Sequence, residues 1–180
     1  MQDITNDTLA PLFKTLDIFN NPIHLENFRG KKILLSFFRN AACALCNLQI
    51  HDLIQRYPIY KAKGLEILAV FESSQENMLK YVGRQDVPFP LIADPEGVLY
   101  KLYNVENSEI KINHSMNLPK VQQRVSVAEE KGFSLIPEAE SNFYRMPADF
   151  LINVEGRIII AHYAYDLVDH LSQDEIEKIL

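Results

Sequence analysis

Cysteine is scarce in this 180-residue chain: Cys43 and Cys46 are the only two. That scarcity argues against a structural disulfide framework, and against a zinc site built on two cysteine pairs. The five histidines (His24, His51, His114, His162 and His170) show no His-x-x-x-His spacing, so no metal site is expected. A basic block is also missing. Lys and Arg number 18 against 24 Asp and Glu, a net charge of −6, which disfavours nucleic acid and anionic membrane surfaces as partners. No apolar run approaches the roughly 20 residues that span a bilayer. The start, Met1-Gln2-Asp3-Ile4-Thr5-Asn6-Asp7, has neither the basic nor the apolar region of a signal peptide, so the expected location is cytoplasmic. Internal repeats and low-complexity segments are absent as well.

What is there reads as an ordinary globular chain, 47% hydrophobic and 23% charged, large enough for one domain over 1–180. Its organising stretch is 33–57. Ile33 to Phe38 is an apolar, aromatic run that predicts a buried strand. Cys46, Ile50, Leu53, Ile54 and Tyr57 then recur at helical spacing, which predicts a helix over 47–57. The cysteine pair therefore sits where a strand hands over to a helix N-terminus. Free N–H groups and the positive end of the helix dipole stabilise a thiolate there.

The rest of the chain supplies a frame. Residues 1–10 are polar and read as loosely attached. Phe13 to Phe28 predicts a hairpin turning at Asn20-Asn21-Pro22. Pro58 and Gly64 punctuate before Leu65 to Phe71, which has the continuous apolar character of a buried parallel strand. Ser73-x-x-Glu76 has the form of a capping box opening a helix toward Gly83, and Asp94 to Gly97 opens a short helix through Tyr103. Residues 104–143 read as an insertion, with one helix from Pro119 to Lys131 and the remainder irregular. Asp149 to Asn153 and Arg157 to His162 predict a late hairpin, and Ser172-x-x-Glu175 caps a helix to Leu180. This order is an α/β architecture with helices on both faces of a mixed sheet.

Two thiols at Cys-x-x-Cys spacing on a helix can close a small disulfide ring. Cys46 shares the core face with Ile50, Leu53 and Ile54, whereas Cys43 lies at the helix end, within reach of solvent and substrate. On these grounds Cys43 is the better attacking thiolate and Cys46 the better resolving partner. Two inert core cysteines are the bland alternative. Arg39 and Arg145 each adjoin an apolar strand, so either guanidinium could lie near the thiols and lower their pKa. A solvated arginine at a strand end is the alternative for each. Pro147 directly precedes the strand beginning Ala148-Asp149, where proline costs no ladder hydrogen bond.

At these residues the chain resembles the peroxiredoxin-like (AhpC/TSA) branch of the thioredoxin-fold superfamily, and within it a subgroup with Cys-x-x-Cys. The likeness rests on Thr15-Leu16-Asp17 to Lys32, on Ile92 to Gly97 with Tyr103-Asn104-Val105, and on Met146 to Ile158. It implies a thioredoxin-like fold with an N-terminal β-hairpin, a helical insertion before the late hairpin, and a cis Met146–Pro147 bond facing the cysteines. It also implies a thiol-dependent oxidoreductase that reduces peroxide or disulfide substrates, needs no cofactor, and is re-reduced by an external dithiol such as a thioredoxin. A homodimer stays open. Two alignments compete. Counting from the strand puts the family's peroxidatic cysteine on Cys46, with Arg39 and Cys43 replacing its Pro and Thr. Aligning by Cys-x-x-Cys gives the thioredoxin arrangement, with Cys43 as nucleophile. A binding module without catalysis is the reading from another class.

Overall fold

In the computed structural model, residues 4–134, 136–138 and 141–180 are described. The chain opens with a small antiparallel sheet, β1 (Lys14–Leu16) and β2 (Pro22–His24), followed by a 3-10 turn at Leu25–Phe28. The turn between these strands is held by Asp17, whose carboxylate accepts from the Phe19 and Asn21 N–H groups. The main sheet then forms from β3 (Lys32–Phe37), β4 (Leu65–Phe71), β5 (Leu91–Ala93), β6 (Ala148–Ile152) and β7 (Ile158–Tyr163). Its order is β5-β4-β3-β6-β7. β3 pairs in parallel with β4 and antiparallel with β6, so the sheet is mixed and β3 is its centre.

The helices are α1 (Ala44–Ala62), α2 (Gln75–Lys80), α3 (Val98–Leu102), α4 (Glu109–Met116), α5 (Pro119–Glu130) and α6 (Gln173–Glu177). They divide the core in two. Alternation along β3 sends Leu34 to the face covered by Ile50, Leu53 and Tyr60 of α1 and Ile176 of α6. It sends Ile33, Leu35 and Phe37 to the opposite face, under Tyr100 and Tyr103 and the N-terminal residues Ile4, Ala10 and Phe13.

Several expectations are corrected by packing. Residues 4–10 are not loose. The Asp7 N–H donates to Ile158 O at 2.7 Å and the Ile158 N–H to Thr8 O at 2.8 Å, so this segment extends the edge beside β7. Met1 to Asp3 lie outside the described residues. The cysteine helix does not stop at Pro58 but runs through it to Ala62, because Leu53, Tyr57 and Tyr60 bury a continuous face on either side. The cap of α2 is Ser74, which accepts from the Asn77 N–H, while Ser73 turns inward and accepts from the Ala41 N–H at 2.9 Å. Residues 109–116, read as irregular, form α4. Their apolar positions Ile110, Ile112 and Met116 give little helical signal, and only Ile112 and Ser115 are buried. The strand β5 lies between the short-helix and turn signals around it and is only three residues long. The box at Ser172 and Glu175 forms as read.

Candidate active site

The end of β3 delivers the cysteines. Phe38 leaves the sheet with its N–H on Val70 O at 2.8 Å, and the loop 39–43 is tied down by Ser73 on Ala41 and by Asn47. The Asn47 amide donates to Ala41 O at 2.7 Å and to Cys43 O at 2.9 Å, reaching back from the first turn of α1 to brace the loop. Cys43 is then the N-cap of α1: its Sγ accepts from the Cys46 N–H at 3.3 Å, the position that sequence spacing assigned it.

The two sulfurs have opposite characters. Cys43 is pulled down to about pKa 6, chiefly because the Cys46 thiol donates a hydrogen bond to its sulfur. The Arg39 guanidinium and the N–H groups of Cys46 and Leu45 act in the same direction, against the effect of burial. Cys46 is pushed well up by burial, and its bond to the Cys43 sulfur adds to the shift. One sulfur is thus a thiolate near neutral pH, and the other holds the proton that stabilises it. Solvent access is less than the sequence suggested: Cys43 is 6% exposed and Cys46 5%. Cys43 instead faces a cavity of about 290 Å³, whereas Cys46 does not line it.

The cavity explains the burial. Its walls include Met116, Val121 and Val125 from α4 and α5, with Ile136 and Phe143 further on, so the 104–143 stretch roofs the thiol. Leu135, Ala139 and Glu140 of that stretch lie outside the described residues. Two contacts fasten the roof to the cysteine loop. Glu138 accepts from the Ala42 N–H at 3.1 Å and from the Asn77 amide at 3.0 Å, and Arg39 donates to Phe143 O at 2.7 Å. Arg39 also lies over the Phe143 ring and donates to Cys43 Sγ at 3.9 Å.

The sequence-selected residues therefore separate. Cys43, Cys46 and Arg39 are brought together. Arg145 is not among them: its guanidinium makes a two-pronged pair with Glu72, donates to Val105 O at 2.7 Å and stacks over Tyr100. A carboxylate at fork geometry and an aromatic face fully occupy it, so it is a buried structural anchor rather than a neighbour of the thiols. Pro147 is buried at the head of β6 but does not line the Cys43 cavity. The Met146–Pro147 bond is trans, not cis. The flanking groups are satisfied in that form, with the Met146 N–H on Glu106 O and the Ala164 N–H on Pro147 O. Met146 itself packs in the same cluster as both cysteines.

One pair was missed. His170 Nδ1 lies 3.0 Å from Asp149 Oδ2, and the ring packs on Phe38 at 5.2 Å. Their side chains are 8% and 3% exposed. Burial opposes charge on both, yet their mutual attraction wins, raising His170 and lowering Asp149; the Cys43 charge also raises His170. The only hint in the sequence was an acidic residue inside an apolar strand. Its partner comes from 21 residues away, and nothing local announces it. Among the described residues, no group of three or more His, Cys, Asp or Glu side chains is placed to hold a metal ion. None of the described helices is long and apolar enough to cross a membrane.

A family model decides the affiliation, matching residues 7–161 as AhpC/TSA family. The chain belongs to the AhpC/TSA family. Among its relatives is the thiol-disulfide oxidoreductase ResA of Bacillus thuringiensis subsp. konkukian (strain 97-27), 33% identical over 97 residues, which are 53% of this chain and 56% of that protein. This AhpC/TSA chain thus spans little more than half the length of the first curated relatives it matches. Solved structures share the thioredoxin-like fold. The peroxidoxin BcpB of Mycobacterium tuberculosis superposes with a TM-score of 0.70 at 11% identity, covering 98% of this chain and 97% of that one. The reduced 2-Cys peroxiredoxin of Plasmodium vivax gives 0.67 at 19% identity, covering 98% and 80%.

Proposed function

We propose that this AhpC/TSA protein is a thiol-dependent peroxidase that cycles between a Cys43/Cys46 dithiol and a disulfide. The observation that carries the reading is a low-pKa thiolate buried at the wall of a largely apolar cavity. A small hydroperoxide can enter such a space as it stands, whereas exchange with a protein thiol or disulfide requires the roof over a thiol that is 6% exposed to move aside. The Cys43 thiolate attacks the distal oxygen of ROOH. The O–O bond breaks, the sulfur is oxidised to Cys43–SOH, and the alkoxide takes a proton and leaves as ROH. The protonated Cys46 is the resolving thiol. It attacks the sulfenic sulfur, an S–S bond forms and water departs. An external dithiol then exchanges with the disulfide and restores both thiols, leaving oxidised itself. A thioredoxin in a reducing compartment such as the cytoplasm is suited to that role. Arg39 stabilises the thiolate and fixes the cavity wall.

A second reading, a thiol-disulfide oxidoreductase, draws on the likeness to ResA and on the Cys-x-x-Cys itself. Stopped-flow oxidation by hydrogen peroxide separates the two. The peroxidase reading expects rapid consumption by wild type and by Cys46→Ser, with trapped sulfenic acid on Cys43, and loss of both in Cys43→Ser. Rates no faster than a free thiol in every form, together with reduction of a protein disulfide, would establish the second reading instead.

A further inference from the structure

Folded proteins leave few buried polar atoms without a partner, and each one that is left asks for a reason. Two such atoms belong to adjacent residues just past the end of β3, Arg39 Nε and Asn40 Oδ1. Their residues are 8% and 7% exposed, and both line the cavity that Cys43 faces. The rest of the Arg39 guanidinium is committed, with Nη1 toward Cys43 Sγ at 3.9 Å and Nη2 on Phe143 O at 2.7 Å. Asn40 differs. Its backbone carbonyl accepts from the Cys43 N–H at 3.2 Å, closing the turn that carries the thiolate. Neither end of its carboxamide has a partner among the described residues.

A carboxamide held away from water without a hydrogen bond costs stability, and an apolar side chain of the same size removes that cost. The loop does not need the group for its shape. Ser73 holds the Ala41 N–H, while the Asn47 amide holds the Ala41 and Cys43 carbonyls. With no bond to break, the Asn40 side chain turns freely about its last torsion, which is broad for asparagine. It then offers an acceptor and a donor to whatever occupies the cavity. A hydroperoxide carries the complementary set, one O–H that donates and two oxygens that accept.

We infer that the Asn40 carboxamide binds the hydroperoxide group, its Oδ1 accepting from the peroxide O–H and turning the distal oxygen toward Cys43. The inference rests on the peroxidase reading, and it adds the residue that selects which oxygen is attacked. The distal oxygen is the one that bears the hydrogen. As Cys43 Sγ bonds to it, the O–O bond breaks and its electron pair leaves on the other oxygen. That oxygen takes a proton from solvent and departs as ROH. The distal oxygen keeps its hydrogen and becomes the hydroxyl of Cys43–SOH, so the bond to Asn40 persists from substrate to sulfenic acid.

The test follows oxidation of the reduced full chain by hydrogen peroxide in stopped flow, for wild type, Asn40→Leu and Asn40→Ala. Leucine keeps the size and branching of asparagine without its polar atoms, and alanine serves if leucine crowds the turn. The expected result is a second-order rate constant lowered about tenfold in both, the worth of one hydrogen bond to the reacting group. The pH midpoint of iodoacetamide alkylation at Cys43 should stay at its wild-type value. The urea midpoint of Asn40→Leu should hold or rise, because an orphaned polar group gives way to an apolar one of similar size. An unchanged rate in both variants, with wild type still consuming peroxide rapidly, would overturn the role of Asn40 and leave the peroxidase reading standing. A slower rate matched by a shifted alkylation midpoint, or by a lowered urea midpoint in both variants, would make Asn40 a support of the loop and overturn its contact with substrate. Wild type no faster than a free thiol would overturn both.

Discussion

At the scale of single residues, the decisive asymmetry is between two sulfurs three positions apart. Iodoacetamide alkylation of reduced protein should therefore be confined to Cys43 and reach half its maximal rate near pH 6. In Arg39→Gln the midpoint should move upward, because a favourable charge and the 3.9 Å donor are removed together. A midpoint unchanged in that variant would assign the thiolate's stability to Cys46 and the helix end alone. The His170–Asp149 pair makes a separate prediction about stability. His170 is raised above its ordinary 6.5, so its contribution is complete below that value and fades as pH climbs through the folded-state pKa. Asp149 is lowered below its ordinary 3.8, so its contribution is complete above that value and fades as pH falls through its folded-state pKa. The pair thus helps most between about pH 3.8 and 6.5. Removing one partner leaves an uncompensated buried charge, and His170→Ala should cost about 3–5 kcal/mol. Thermal unfolding of both proteins across pH checks this, and a gap widest above pH 8 would contradict it.

At the scale of elements, α1 carries an interior proline that its core face overrides. Pro58 has no N–H for the Ile54 carbonyl and sits exposed in the C-terminal part of the helix. Packing of Leu53, Tyr57 and Tyr60 holds the helix together against a local cost of about 3 kcal/mol. Pro58→Ala should then raise stability by roughly 1–3 kcal/mol in urea titration, with the peroxide rate unaffected. No gain would mean that the packing of α1 already accommodates Pro58 without cost. The sequence gives proline its breaker meaning because local rules are all it can express. The same limit explains α4, whose sparse apolar positions are held as a helix by the core contact of Ile112 together with the Ser108 cap on the Lys111 N–H. Where the local signal and the burial agree, as in β3, β4 and the capped α6, the element was legible within a residue or so at each strand and at the cap of α6.

At the scale of the whole molecule, the 104–143 stretch converts an ordinary helix-end cysteine into an enclosed one. A small reagent should reach Cys43 far faster than a bulky one. Iodoacetamide and a 5 kDa polyethylene glycol maleimide, compared at one pH, should differ by more than tenfold relative to their ratio on the urea-unfolded chain, an order of magnitude being the expected cost of displacing a packed roof. Equal relative rates would show that the cavity is freely open, and the argument for small peroxides over protein disulfides would fall with it.

The sequence by itself determined where the cysteine pair sits: two cysteines at one-turn spacing, an apolar strand before them and a helix after them. These are local facts, fixed by periodicity and by the free N–H groups of a helix end. Tertiary structure decided which neighbours the sulfurs have. It put Arg39 on Cys43 and took Arg145 away to Glu72, although the two arginines adjoin similar apolar runs. It brought His170 to Asp149 and laid α4 and α5 over the thiol, contacts between residues far apart in the chain. Such contacts depend on how whole faces pack, and no short stretch of residues encodes them.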